Sequence, residues 1–347
     1  MSEIPETLQD ISADWLSQVL SADVAEVTVV DAHEGTTGRG ELNVCYASPT
    51  TLPEALFVKL PPTDEMQRAF VVSSGMGLRE SRFYQQLAAE VPLRTPRCFH
   101  ADTNPSGERY IMLLESLTNT GCTFRNANLH YSRAYLESMM KQFAALHAAY
   151  WDSPRFDVDL DWIEPPPQHP IAVTLVEQAL SEHGAKQPPV FRALAETYLE
   201  HTNAVHALWN DGGVPTLVHG DAHDGNLFMD GATPGFLDWA LAARAPAMRD
   251  VGYFLAATLL PEDRQAWLGP LLDGYRGHLL ERGVDAPSPS VLREQMRWHA
   301  AYVWVGTAVT LAMGDAWQPV EYVQSTLDKL HHTLAAEQCV ESLIAAL

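Results

Sequence analysis

Between Leu217 and Trp239 the sequence carries a dense run of polar groups with chemistry in them. His219-Gly220-Asp221 is followed by His223, Asp224 and Asn226, then by two apolar runs, Leu227 to Met229 and Gly235 to Leu237, on either side of Asp230-Gly231, and then by Asp238. Short apolar runs around an Asp-Gly turn predict a β-hairpin. Asp221 and Asn226 then stand on the loop before its first strand and Asp238 at the end of its second, so three oxygen-bearing side chains are expected to converge. Hard cations such as Mg²⁺ take oxygen ligands of this kind, together with water and substrate phosphates. A turn by itself accounts for Asp, Asn and Gly here, but not for an acid on the far strand. A different chemistry treats His219, Asp221, His223 and Asp224 as a zinc-hydrolase cluster. That reading needs further ligands, and His299, His331 and His332 fall in apolar, helix-patterned surroundings.

An Asp five positions before an Asn, with a second Asp on a later strand, matches the working parts of phosphoryl transfer in protein kinases. There the first Asp accepts the proton of the attacking hydroxyl, and the Asn and later Asp hold metal. The same chemistry calls for a strand lysine paired with a helix glutamate. Ala55 to Leu60 is an apolar run ended by Pro61-Pro62, and Lys59 inside it has to direct its charge to a partner or to solvent. Glu80, expected to open a helix continued by Leu87 and Val91, is the candidate partner.

The remaining elements must place these groups. A helix capped by Ser12 carries Trp15, Leu16, Val19 and Leu20, and strand-like runs cover Val24 to Asp31 and Leu42 to Ala47. Gly35, Gly38 and Gly40 are expected at the turn joining those strands, where backbone N–H groups of Gly38 and Gly40 are candidates to cover phosphates. Walker A spacing fits Gly35 to Gly40, but Glu41 and Leu42 replace its Lys and Ser or Thr, which excludes a P-loop. Gly75-Met76-Gly77 is a partial dinucleotide fingerprint with Glu80 in place of the third glycine, and reads as helix punctuation. Strand-like runs around Arg97 to His100 and Arg109 to Leu114 bracket an Asn104 to Gly107 turn. Composition then shifts to helices, over Tyr131 to Trp151, Val173 to Leu180, Phe191 to Trp209, Val251 to Leu260, Arg264 to Glu281, Val291 to Ala312 and Val320 to Leu347. The shift sets an expected boundary near residue 117, giving an ATP-binding lobe over 1–117 and a catalytic and substrate-binding helical lobe over 118–347.

The stretch His219-Gly220-Asp221 to Asn226 resembles the His-Gly-Asp-x-x-x-x-Asn signature of the aminoglycoside phosphotransferase and choline kinase superfamily. With His223 in the loop and Asp238-Trp239 followed by Asp250, its style is most similar to ecdysteroid-kinase-like and acyl-CoA-dehydrogenase-associated small-molecule kinases. Val-Lys-Leu-Pro-Pro and Glu-x-x-Phe-Tyr resemble the same group. The resemblance implies an α+β, bilobal protein-kinase-like fold, with a small antiparallel sheet and one main helix before a larger helical lobe. It implies ATP and Mg²⁺ as cofactors, with Asp221 as catalytic base and Asn226 and Asp238 as metal ligands. His219, His223 and Asp250 would be supports for the loop, and Lys59 with Glu80 would align phosphates. Glu115 and Leu117 would give backbone contacts to the nucleotide base. Relatives often show Glu-Asp-Leu there, and this chain has Ser116. The implied reaction moves the γ-phosphate to a hydroxyl of a small molecule. Aminoglycosides suit the negative surface, while steroid-like alcohols, hydroxyacyl thioesters or macrolides suit the aromatic content, in which Trp151, Trp162, Trp239, Trp267, Trp298, Trp304 and Trp317 stand out. A nucleotide-binding pseudokinase is the alternative within this fold.

Composition narrows the field further. The chain of 347 residues is long enough for one large or two ordinary domains. Lys and Arg total 22 against 44 acids, a net charge of −22 that argues against nucleic acid and against an anionic membrane as partners. Cys45, Cys98, Cys122 and Cys339 are scattered and the acidic start lacks signal-peptide features, so a cytoplasmic protein is expected. The apolar run Ala300 to Gly314 is too short for a span of roughly 20 residues and is expected as a buried helix.

Overall fold

The computed structural model describes residues 3–33, 37–124, 131–315 and 317–347. In chain order the elements are α1 (Ala13–Leu20), β1 (Val24–His33), β2 (Gly38–Tyr46), β3 (Ala55–Leu60), α2 (Glu65–Ser74), α3 (Met76–Gln86), β4 (Cys98–Thr103), β5 (Tyr110–Glu115) and β6 (Thr123–Phe124). Then come α4 (Arg133–Ala149), α5 (Pro170–His183), α6 (Pro189–Asp211), β7 (Pro215–Val218), β8 (Leu227–Asp230), β9 (Thr233–Phe236) and β10 (Ala243–Pro246). Five helices finish the chain: α7 (Met248–Thr258), α8 (Pro261–Glu281), α9 (Pro289–Met313), α10 (Val320–Ala336) and α11 (Cys339–Ala346). The fold is α+β, of protein-kinase-like type. By packing, the chain forms two compact units, the first made of residues 1–126 and 224–242, the second of 127–223 and 243–347. The first unit is therefore discontinuous in sequence, and the β8–β9 hairpin belongs to it.

In the first unit an antiparallel sheet runs in the order β1-β2-β3-β5-β4. Alternation along β3 buries Leu56, Val58 and Leu60 in a core with Leu42, Val44, Ile111 and Leu113, against which α1 lays Trp15 and Leu16. Ser12 caps α1 by accepting from Trp15 N at 3.1 Å. The punctuation expected at Gly75 is present: its left-handed φ of 69° ends α2 and starts α3. A second sheet joins β6, β8 and β9. The second unit is helical around Val176, Phe191, Tyr198, Trp209, Trp304, Leu327 and Leu343, with β7 and β10 paired as a two-stranded ribbon. Trp304 is part of that core, and Trp239 is fully buried in the first unit. No helix among the described residues is long and apolar enough to cross a membrane.

Several expectations are corrected. Gly38 and Gly40 do not sit in the turn but inside β2, paired with Leu60 and Val58 of β3; Gly35 and Thr36 lie outside the described residues. Close packing explains both glycines, since a Cβ on Gly40 would stand 2.7 Å from a Leu8 methyl and one on Gly38 2.9 Å from the Pro61 carbonyl oxygen. Glu80 does not open its helix: α3 begins at Met76 and stops at Gln86, short of Leu87 and Val91. The last helix is two helices, broken where Gln338 takes a left-handed φ of 52°.

Candidate active site

In the first unit, strand pairing and helix packing bring three of the expected residues together. Lys59, on β3 between Val58 and Leu60, is only 4 % exposed, and Glu80 of α3 is 1 % exposed. The Lys59 ammonium lies 2.5 Å from Glu80 Oε2 and 3.2 Å from Asp238 Oδ1. Burial works against the Lys59 charge, but Asp238 and Glu80 outweigh it and raise its pKa. Glu80 is also raised, because burial and the nearby Asp238 charge exceed what Lys59 returns to it. One cation thus holds two acids, and Asp238 is the more accessible of them.

Packing sets α3 so that Glu80 reaches Lys59. At Gly77 a Cβ would fall 2.0 Å from the Tyr110 ring, so only glycine lets the helix lie this close to β5. Phe83 stacks on Trp239 with centroids 4.1 Å apart and planes within 8°. Arg79 Nη1 donates to the Ala240 carbonyl at 2.8 Å. Helix α3 is thereby tied to the segment that carries Asp238. Asp238 itself has φ 63° and ψ 71°, a left-handed conformation in which Asp and Asn are the usual non-glycine occupants and which is held only where surroundings demand it. Leu237 N donates to the Asn226 carbonyl at 3.0 Å, so Asn226 and Asp238 start from neighbouring points of backbone. Their amide and carboxylate oxygens are the hard donors that suit Mg²⁺.

Beside the hairpin, Arg94 donates to both Glu115 oxygens, at 2.9 and 2.6 Å, and to Asp230 at 2.7 Å. Burial pushes Glu115 up, but Arg94 and the Arg97 amide hold it below the usual carboxylate range. The Glu115 side chain is therefore engaged in fastening β5 to the β8–β9 turn. Ser116 donates to Glu41 Oε1 at 2.9 Å, which gives the departure from Glu-Asp-Leu a local partner on β2. The Leu117 side chain packs with Cys122 and Phe228, and its carbonyl accepts from Cys122 N at 3.1 Å.

In the second unit, β7 delivers the His219-Gly220-Asp221 turn, with Gly220 at φ 84°. Asp250, fully buried on α7, accepts from His219 N at 2.7 Å and Gly220 N at 2.8 Å. Burial alone would raise this acid, yet His147, His219 and the Gly220 amide lower it. His147 lies 3.2 Å from Asp250 through Nε2 and 2.8 Å from the Tyr275 hydroxyl through Nδ1, and its carbonyl accepts from Thr216 Oγ1 at 2.8 Å. The relay Tyr275, His147, Asp250 was absent from the sequence reading except for its last member. His147 gave no signal beyond its place after Leu146 in an apolar helix, and Tyr275 stands 128 residues away.

Asp221 has His223 Nε2 at 3.5 Å from its Oδ2. Burial, then the Asp221 charge, push the Tyr253 phenol well above its ordinary value. His219 does not act as a zinc ligand in this arrangement: it is fully buried, and its Nδ1 accepts from Asp221 N at 3.3 Å. Among the described residues no three His, Cys, Asp or Glu side chains gather to hold a metal. Asp221 belongs to the second unit, Asn226 and Asp238 to the first, and the chain crosses between units after His223.

One residue of α7 stands apart from the expected set. Arg249, one turn before Tyr253 on α7, is 5 % exposed and packs its guanidinium over the Tyr302 ring at 3.7 Å. Its Nε is buried with no hydrogen-bond partner, and among the described residues it has no carboxylate partner. A cation–π contact recovers about 2 kcal/mol when desolvated, less than the several kcal/mol that an unpaired ion loses on leaving water.

The sequence model of the phosphotransferase enzyme family (APH) matches residues 50–289. No protein of curated function matches the chain. Among solved structures, a Ralstonia eutropha protein provisionally assigned as an aminoglycoside phosphotransferase superposes with a TM-score of 0.58 at 15% identity, over 96% of this chain and 97% of that one. The GDP complex of aminoglycoside 2'-phosphotransferase-IIIa gives 0.54 at 12% identity, over 92% and 96%. Choline kinase from Cryptosporidium parvum gives 0.51 at 12%, over 90% and 89%. At these identities the structural likeness establishes the fold, and the sequence match, which spans more than half of the chain, establishes the family: this protein belongs to the phosphotransferase enzyme family.

Proposed function

We propose that the protein transfers the γ-phosphoryl group of ATP to a hydroxyl group of a small molecule. The observation that carries this reading is the buried Lys59 ammonium held by Glu80 and Asp238, a cation fixed in place beside an accessible carboxylate. In the proposed reaction Asp221 accepts the acceptor's hydroxyl proton. The acceptor oxygen bonds to the γ-phosphorus while the bond from phosphorus to the bridging oxygen breaks, and ADP leaves with that bridging oxygen. Lys59, oriented by Glu80, aligns phosphate oxygens, and the Leu117 and Glu115 backbone contacts the base. Mg²⁺, held through Asn226 and Asp238, would neutralise charge on the phosphates. Asp250 sets the backbone of the turn before Asp221, His219 accepts from the Asp221 amide, and His223 flanks the Asp221 carboxylate. Positioning and charge neutralisation carry such a reaction, so the base needs no unusual pKa. The GDP bound by one structural relative supports a nucleotide as donor. Four unpaired cysteines support a reducing compartment, the cytoplasm.

The test is an ADP-release screen of hydroxylated metabolites with Mg-ATP, with Asp221→Asn as the comparison. Turnover should fall by about 10²–10⁴-fold, the usual share of a general base, while nucleotide affinity stays within about twofold. Wild-type turnover in Asp221→Asn would remove that residue from its role.

A further inference from the structure

Among the described residues of the second unit, Arg249 is a buried cation with no acid to answer it. The chain has 44 acids for 22 basic residues, so an arginine lacking a carboxylate neighbour runs against its own composition. Arg249 is buried, its Nε is unbonded, and its guanidinium packs on the Tyr302 face. A second orphan lies close by. His299 of α9 is 1 % exposed, its Nδ1 is buried without a partner, and its Cβ packs against Gly252 in the next turn of α7. Burial first, and then the Arg249 charge, hold both His299 and His206 neutral. Neither imidazole competes for an anion, and neither supplies a negative charge. Aromatic rings pack together in this neighbourhood. Trp209 meets Tyr302 edge-on at 5.4 Å, and Tyr302 meets Tyr253 at 6.5 Å.

Arg249 and Tyr253 are four residues apart and so share one face of α7. At one end of that face is a bare guanidinium. At the other is the Tyr253 phenol, and Asp250, next to Arg249, ties α7 to the turn that leads into Asp221 by accepting from His219 N at 2.7 Å and Gly220 N at 2.8 Å. We propose that Arg249 receives an oxyanion, a carboxylate or a phosphate monoester, on the acceptor molecule, whose hydroxyl then faces Asp221 and whose body lies on Tyr302 and Tyr253. The acceptor is thus a hydroxylated anion with an apolar or aromatic middle, not a polycation. A guanidinium offers paired donors that match either oxyanion, and an acid brought to it supplies the countercharge that the described residues do not. The inference rests on the proposed role of Asp221 as base.

Binding without nucleotide tests it separately from turnover. Calorimetry would compare hydroxy acids (glycerate, 3-hydroxybutyrate, 4-hydroxyphenylacetate) with their amides, glycerol phosphate with glycerol, and kanamycin as a cationic alcohol. The wild type should bind at least one anion about 10–100-fold tighter than its uncharged counterpart, the worth of a charge-assisted hydrogen bond. The carboxylate and phosphate arms identify which anion is preferred. Arg249→Gln should bring the ratio close to one with ADP affinity unchanged, and Arg249→Lys should restore part of it. Equal binding of acid and amide, preference for kanamycin, binding of none of the panel, or a ratio that survives Arg249→Gln would each overturn the proposal. If anions bind through Arg249 and no ADP is ever released, the kinase reading fails and the anion site stands.

Discussion

Lys59 is shared by two acids of unequal standing, and the inequality is testable. Removing the ammonium in Lys59→Met leaves Glu80 and Asp238 facing one another, and breaking a buried ion pair from one side costs about 3–5 kcal/mol. Glu80 can lessen that cost by taking up a proton. Its folded pKa is already raised above its ordinary value by burial and Asp238, and loss of Lys59 raises it further. A raised acid stabilises the fold while it stays protonated, and that contribution shrinks as pH climbs past the unfolded value. Urea titrations should therefore find Lys59→Met more destabilised at pH 8 than at pH 5.5. Lys59, Glu80 and Asp238 were legible in the sequence because each is an ionisable group in a context that cannot solvate it, or at a spacing that turns alone do not produce. Arg249 was not. It reads as an ordinary helix residue beside Asp250, and only the fold brings Tyr302, from a helix that starts forty residues later, over its guanidinium.

At the scale of elements, the placement of α3 governs whether Glu80 finds Lys59. Gly77→Ala would set a methyl into the Tyr110 ring, and overpacking of this kind costs about 1–3 kcal/mol. The variant should unfold at lower denaturant and also bind ADP more weakly than wild type, since α3 carries both Gly77 and Glu80. A fall in stability with unchanged ADP affinity would separate the helix from the phosphate-aligning pair. Most elements followed from local pattern: the hairpin from apolar runs around Asp230-Gly231, α1 from Ser12 and its stripe, β3 from its apolar run. The ribbon of β7 and β10 escaped the sequence because each strand has only four residues and a proline, Pro215 and Pro246, at the end. Its existence depends on pairing between stretches that are distant in sequence. The break at Gln338 escaped for the opposite reason, since nothing local interrupts the helical pattern there.

For the molecule as a whole, the helical unit has a weakness toward acid. His331 accepts from Trp304 Nε1 at 3.3 Å, and burial lowers its pKa to about 4. His206 is likewise lowered to about 4, and His299 well below its ordinary value. These imidazoles are neutral when folded, while the unfolded chain takes up their protons near pH 6.5. Stability from them is complete above pH 6.5 and is lost as pH falls toward 4. Thermal unfolding should drop by at least about 5 °C between pH 7 and pH 5, before most carboxylates titrate, and His331→Gln should flatten part of the decline. The discontinuity of the first unit has a consequence for biogenesis. During synthesis its sheet emerges early, yet Trp239, the stacking mate of Phe83, and Asp238, the second acid on Lys59, leave the ribosome only after the long helical stretch from Arg133 to Asp211. The nascent N-terminal segment must wait, with an aromatic face uncovered and an ion pair unfinished, for a strip of chain translated more than a hundred residues later.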